Sequence, residues 1–338
     1  MARPGLFGGA LAVLFALSTA AATQTPPTPP AVSPVGRSVG SAPLRADEST
    51  VVQELDVVAP RPGPRLWRVS KGFSQLIIVG SVSPIPHLQT WPTKEVETAL
   101  DGAVVLLTTR PSGHLGFFAK AGLAFSGMGA FKAPHGRTLK TELPDPVYTR
   151  FAHEVDRIHS DMSKYEGLKP APAGYFLLSD FRRAAGLSEL KPDTTIEKLA
   201  KAHNVPVRAV ANYDEGPMLK AASGLSNAAG IACLTEALDQ IKFETDNVPD
   251  AARAWAHGRL EDVRAHYSID HLERCLQNLP NYSSLLERGT ADAAREMNKA
   301  LDRPGKTVAI VDLAFLLRPN GVLDRLKAQG ATISVPGA

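Results

Sequence analysis

Residues 74–86 read SQLIIVGSVSPIP and place two hydroxyl side chains, Ser81 and Ser83, directly after an apolar run. The run predicts a buried strand that stops at Gly80 and presents a short polar turn. A serine at such a turn becomes a nucleophile only with a base in hydrogen-bond reach. The sequence offers two candidates, Asp312 at the end of a second apolar run and His87 just beyond the prolines. Neither apolar run carries a Gly-x-Ser-x-Gly elbow. The competing reading makes both residues turn serines that bond the local backbone. A third apolar run, AVVLLTTR, ends in Thr108, Thr109 and Arg110. Arg110 there is either an anion ligand at the sheet edge or a surface arginine.

Other groupings carry less chemistry. In HEVDRIH the fourth residue after His153 is Arg157, and His153 and His159 are spaced to face different sides of a helix. His266 and His271 have the same fault, so all four read as solvated. GLAFSGMGAFK lacks the Gly-x4-Gly-Lys-Ser/Thr order of a phosphate loop. It reads as an apolar helix with small residues, or as part of an apolar patch over residues 115–131. Cys233 and Cys275 are the only cysteines. In an oxidising compartment the simplest arrangement is a disulfide between two helical stretches, closing a loop of about 40 residues. Two free buried thiols are the alternative.

The compartment is suggested by the amino terminus. Arg3, an apolar run over residues 6–17 and the small residues Ala20, Ala21 and Ala22 follow the plan of a cleaved secretory signal peptide covering 1–22. Residues 23–48, rich in Pro, Ser and Gly, read as a disordered linker. No later apolar stretch approaches the roughly 18 to 20 residues that span a bilayer. With 44% hydrophobic residues and a formal charge of +3, the rest suits a globular protein without an electrostatic footprint for nucleic acid. The mature protein is expected in the periplasm or outside the cell, with no nucleic-acid partner and no transmembrane segment. An envelope protein or peptide is the partner class left open.

The elements that must position these residues alternate. PRLWRVSKGFSQLIIVG reads as a hairpin turning at Lys71-Gly72, with residues 76–79 central in a sheet. TKEVETALDG is helical, AVVLLTTR is a second core strand, and residues 205–211 are a third. Helices are expected over PVYTRFAHEVDRIHSDM, from Pro217 to about Phe243, and over AARAWAHGRLEDVRAHY and ADAAREMNKALD. The chain closes with the strand GKTVAIVDLAFLL, a helix and a last strand, ATISV. The fold class is α/β with α+β character: a central mixed sheet, surrounding helices, and a mainly helical insertion at about 113–300 within a single domain over 49–338. LIIVGSVSPIP and VAIVDLAFLLRP both turn sharply after an apolar strand, and each is followed by a helix. As neighbours they would bring their turns together at one sheet edge, where α/β proteins place binding groups.

PRLWRVSKGFSQLIIVGSVSPIP, AVVLLTTR, ARAWAHGRLEDV and GKTVAIVDLAFLLRPNGVLDRLKAQGATISV together resemble the TraB/GumN family, which is related to the TIKI metalloproteases. The resemblance runs from about Pro64 to the carboxyl end. It implies a metal site built from two Gly-x-x-His turns and acidic residues on other strand ends, with the metal activating water for hydrolysis. Carried onto this chain, the first turn keeps Gly80 but has Ser83 at the histidine position. The second, counted back from Gly321, has Asp312 for glycine and Phe315 for histidine. The glutamates after the second and third core strands fall on Thr108 and Ala211. Phenylalanine has no lone pair and a serine hydroxyl is a poor ligand alone. The expectation is therefore no metal and no cofactor, and a scaffold or binding module whose metal site has lapsed. The alternative is a peptidase- or esterase-like hydrolase with a remodelled, metal-free site around Ser81, Ser83, Thr108 and Asp312.

Overall fold

A computed structural model describes residues 63–109, 128–211, 221, 224–279 and 282–334. The leader, the Pro/Ser-rich segment, Arg110 and residues 115–127 of the apolar stretch lie outside that set.

The sheet begins as the sequence pattern demands. β1 (Leu66–Lys71) and β2 (Ser74–Ser81) pair antiparallel across a turn at Gly72, whose φ of 57° suits a residue without Cβ. β2 is buried almost throughout because both its faces are covered. After a two-residue strand β3 (Ile85–Pro86) come α1 (Lys94–Leu100) and β4 (Val105–Thr108). Near the carboxyl end, β7 (Gly305–Asp312) is inserted between β4 and β2 and runs parallel to both. With β6 (Val207–Ala209) beside β4 and β8 (Thr332–Ser334) beside β1, the order is β6-β4-β7-β2-β1-β8. The mixed sheet expected from the sequence is thus present, parallel from β6 to β2 and antiparallel at the β1–β8 end.

The helices between β4 and β7 are α2 (Met128–Phe131), α3 (Leu139–Glu142), α4 (Asp145–Arg157), α5 (Ser163–Glu166) and α6 (Pro170–Ala184). After β5 (Leu187–Ser188), which pairs with β3, come α7 (Lys191–Ala202) and, beyond β6, α8 (Asn227–Ala256). α9 (Leu260–His266), α10 (Asp270–Leu276) and α11 (Tyr282–Leu301) follow, and α12 (Leu313–Leu316) and α13 (Val322–Ala328) come after β7.

Alternation along the strands feeds two cores. Leu76, Ile78, Leu107, Ala309 and Val311 meet the end of α8, α11 and α13, while Ile77, Val79, Leu106, Val308 and Ile310 meet α1 and α7. A third cluster, centred on Phe151, Tyr165, Leu177, Phe181 and Leu238, is mainly helical. Phe131 belongs to it and is buried, so this end of the apolar stretch packs inward.

Three details differ from the sequence expectation. The third core strand is only Val207–Ala209, an edge strand, and Ala211 lies beyond its end. β7 runs straight into α12, but β2 is followed by a turn and β3 before α1. α8 continues through Pro249 to Ala256, and the expected helix AARAWAHGRLEDVRAHY is divided at Gly258, where φ is 66°. Pro249 is exposed, so the carbonyl it leaves without a helical donor faces water.

The two cysteines form a disulfide joining α8 to α10, Cys233 to Cys275, with a Cα–Cα distance of 4.6 Å. No described helix is long and apolar enough to cross a membrane.

Candidate functional site

Parallel pairing fixes where the strands end. Ser81 stands directly beside Asp312 in register, and Thr108 lies between Ile310 and Ala209. The four carboxyl ends therefore form one edge, as expected for an α/β binding site. Backbone and side chains tie the edge together. Val210 N–H donates to the Thr108 carbonyl at 2.9 Å, and Thr109 Oγ1 donates to the Ile310 carbonyl at 3.2 Å.

At the end of β2 the glycine is required by packing. A Cβ on Gly80 would lie 2.3 Å from Leu313 Cδ2 and 2.6 Å from Trp67 Cζ3. Its carbonyl accepts the indole N–H of Trp255 at 2.7 Å, and Trp91 meets the Trp255 ring edge-on at 4.9 Å between centroids. Ser81 follows, 1% exposed, and its Oγ has no hydrogen-bond partner among the described residues. Ser83 donates from Oγ to the Glu189 carbonyl at 2.8 Å.

Glu189 leads into a buried ion pair. Arg182 of α6 bonds the Glu189 carboxylate and also Glu244 of α8, its Nε lying 2.9 Å from Glu244 Oε2. Gln240 Nε2 completes the Glu244 shell at 2.9 Å. Burial works against the Arg182 charge, but the bonds and charges of Glu244 and Glu189 outweigh it and raise its pKa.

At the end of β7, Asp312 caps α12. Its Oδ1 accepts the Ala314 N–H at 2.9 Å and its Oδ2 accepts the Tyr267 hydroxyl at 2.6 Å. Phe315 projects from α12 with the Arg318 guanidinium 5.2 Å from its ring centroid, and Arg318 in turn pairs with Glu273. Gly321 closes this corner, since a Cβ there would lie 2.6 Å from the Arg318 carbonyl oxygen and 2.8 Å from that of Phe315.

Between β4, β6, β7 and α11 is a cavity of about 260 Å³. Val210, Leu285, Leu286, Val311, Phe315 and Val322 give it an apolar wall. Thr109, Thr290 and Asp312 contribute polar atoms.

The donor set implied by the resemblance can now be tested. Ser83 is committed to the Glu189 backbone, Phe315 supplies a ring to the cavity wall, and Thr108 and Ala211 bring no carboxylate. Asp312 is occupied as a cap and as an acceptor for Tyr267. Among the described residues, no three His, Cys, Asp or Glu side chains converge at this edge. These residues do not fit a hydrolytic metal centre.

The trio that does converge, Glu236, Asp239 and His271, lies between α8 and α10 near the disulfide. Sequence spacing missed it because its members come from two helices. Its carboxylates already carry cations: Arg274 Nε lies 2.9 Å from Glu236 Oε1 and Arg150 NH2 2.7 Å from Asp239 Oδ1. Burial pulls Glu236 upward, but the bonds from Arg274 and His271 outweigh it and hold its carboxyl below the usual range. His266 bonds Asn247 at 3.0 Å, and His153 is exposed on α4. Asp193 was also missed. It is a buried carboxylate in the first turn of α7, on the face that carries Ile196 and Ala200 toward the sheet.

Residues 65–335 match the model of the TraB/PrgY/gumN family. No curated protein and no solved structure matches the chain.

Proposed function

Because this chain belongs to the TraB/PrgY/gumN family yet carries hydroxyl, benzyl and methyl groups where the metal-site resemblance asks for imidazole and carboxylate, we propose that it is a non-catalytic, exported member. It keeps the family scaffold as a binding module. The observation that carries this reading is the pair of corners at Ser83 and Phe315. One hydroxyl is spent on the Glu189 backbone, and one ring lines an apolar cavity. Phe315 has no lone pair to offer a metal, and a serine hydroxyl alone is a poor ligand.

A metal-free hydrolase built on Ser81, Ser83, Thr108 and Asp312 has one point in its favour, a Ser81 hydroxyl without a partner among the described residues. That hydroxyl is sealed in the core, and Ser83 is held by a neighbour from the helical region. Export is supported by the charged start, apolar run and small residues of the leader, and by a disulfide, which persists in oxidising compartments.

The test is elemental analysis of the full chain produced with its leader, combined with peptide and ester hydrolysis screens. We expect no stoichiometric zinc, manganese or cobalt, no turnover, and a mature chain whose mass begins at Thr23. Stoichiometric metal, or turnover abolished by Ser83→Ala, would overturn the non-catalytic reading. A mature mass that retains residues 1–22 would overturn export by cleavage.

A further inference from the structure

The cavity at the strand ends gives the binding module of the preceding reading, on which this inference rests, a ligand class. We propose that it holds a neutral, apolar molecule of about ten heavy atoms with no charged head. Volume sets the size. An apolar cavity of about 150 Å³ takes up a benzene ring. In proportion, one of about 260 Å³ takes up about ten carbon atoms. The walls suit such a body: Leu285 and Leu286 come from α11, Val210 and Val311 from strand ends, Phe315 from α12 and Val322 from α13.

The polar side chains of the lining set the character. Thr109 Oγ1 donates to the Ile310 carbonyl at 3.2 Å, and Thr290 Oγ1 donates to the Leu286 carbonyl at 2.9 Å. Asp312 accepts the Ala314 N–H on one oxygen and the Tyr267 hydroxyl on the other. Each is bonded within the chain, so none depends on a ligand to satisfy it. A charged head would give up its water and find only groups that are already engaged. An ammonium would have to compete with Tyr267 for Asp312, and a carboxylate would meet a like charge. A molecule without a head gives up nothing polar, and the burial of its carbon surface supplies the affinity.

Three probes of one shape decide it. Propylbenzene, 2-phenylethylammonium and phenylacetate differ only at the end of the side chain. Each is titrated into the full mature chain and followed by the methyl chemical shifts of Leu285, Leu286, Val311 and Val322, which the ring current of a bound phenyl displaces. Propylbenzene should move these methyls and bind at least about tenfold more tightly than either ion. Thr290→Val, which exchanges the hydroxyl for a methyl in the same shape, should leave propylbenzene bound at least as tightly. Thr290→Leu, which extends a side chain from α11 into the cavity, should weaken it severalfold. The wild-type comparison of the three probes decides the matter alone if a variant fails to fold. Either ion binding as tightly as propylbenzene, loss of propylbenzene binding in a folded Thr290→Val, binding unchanged by Thr290→Leu, or unmoved methyls at propylbenzene saturation would each overturn the proposal. None of these results touches the non-catalytic reading, which stands or falls on metal content and turnover.

Discussion

Substituting Gly80→Ala tests whether the first corner is held by packing. A normal carbon–carbon contact lies near 3.5–4.0 Å, but the added methyl would stand 2.3 Å from Leu313 Cδ2 and 2.6 Å from Trp67 Cζ3. Neither neighbour has room to retreat, because Trp67 is 1% and Leu313 4% exposed. Forcing a methyl into a filled core costs about 1–3 kcal/mol, and for a domain of this size each kcal/mol moves the melting temperature by about 2–4 °C. The expected fall is therefore roughly 2–12 °C.

The assay is built into the corner. Trp67, Trp91 and Trp255 are the only tryptophans in the chain. Trp67 meets Gly80, Trp255 bonds its carbonyl, and Trp91 packs on Trp255. Tryptophan emission in urea thus reports this corner directly. Leu313→Ala alone should cost about 2–5 kcal/mol. Combined with Gly80→Ala it should cost less than the sum, by about 0.5–3 kcal/mol, because the truncated side chain makes room for the methyl. An alanine variant with unchanged emission and midpoint would refute the packing argument and return Gly80 to a role in ligand binding.

Replacing both cysteines by serine should lower stability by about 3–4 kcal/mol on the loop-entropy model, given a sequence separation of 42; urea unfolding with and without reductant measures it. Glu244→Gln leaves the Arg182 charge largely buried and should cost about 3–5 kcal/mol, visible as a lower urea midpoint with an unchanged slope. Glu236 has its folded pKa depressed, so its contribution is present above the unfolded value near 4.3 and is lost as pH falls through the folded value. The stability gap between wild type and Glu236→Gln should accordingly be constant at neutral pH and close below about pH 4.

How much of this was legible depends on whether a signal is local. The continuous apolar runs of β2 and β7 announce buried parallel strands, and two lone cysteines behind a leader that reads as a signal peptide point to their own pairing. The extent of α8 was hidden because Pro249 reads as a stop, and only its exposed position makes it tolerable. β6 is short because an edge strand pairs on one side only, a fact of topology. Glu244 looked like any charged helical residue; its burial depends on Arg182, 62 positions earlier. The cavity was not legible, since its wall is assembled from β-strand ends, α11, α12 and α13, which no single window contains.

The same long-range dependence holds the two corners together without imidazoles, and it predicts that introducing them will not create a metal site. Gly80 answers to Trp67 and Leu313, Gly321 to the carbonyls of Arg318 and Phe315, and Asp312 to the first turn of α12 and to Tyr267. None of these contacts needs an imidazole at 83 or 315. The surroundings also oppose a dication. A histidine placed at 315 would lie beneath the Arg318 guanidinium, which sits 5.2 Å from the present ring centroid. A histidine at 83 would stand at a turn whose side chain is directed to Glu189, with no carboxylate at 108 or 211 to complete the set. Two imidazoles facing a nearby fixed cation make a poor zinc site. The double variant Ser83→His, Phe315→His should therefore bind zinc no more tightly than wild type in a competition titration. Tight stoichiometric zinc in that variant would show that the corners remain poised for metal and that only two side chains separate this chain from a metal centre.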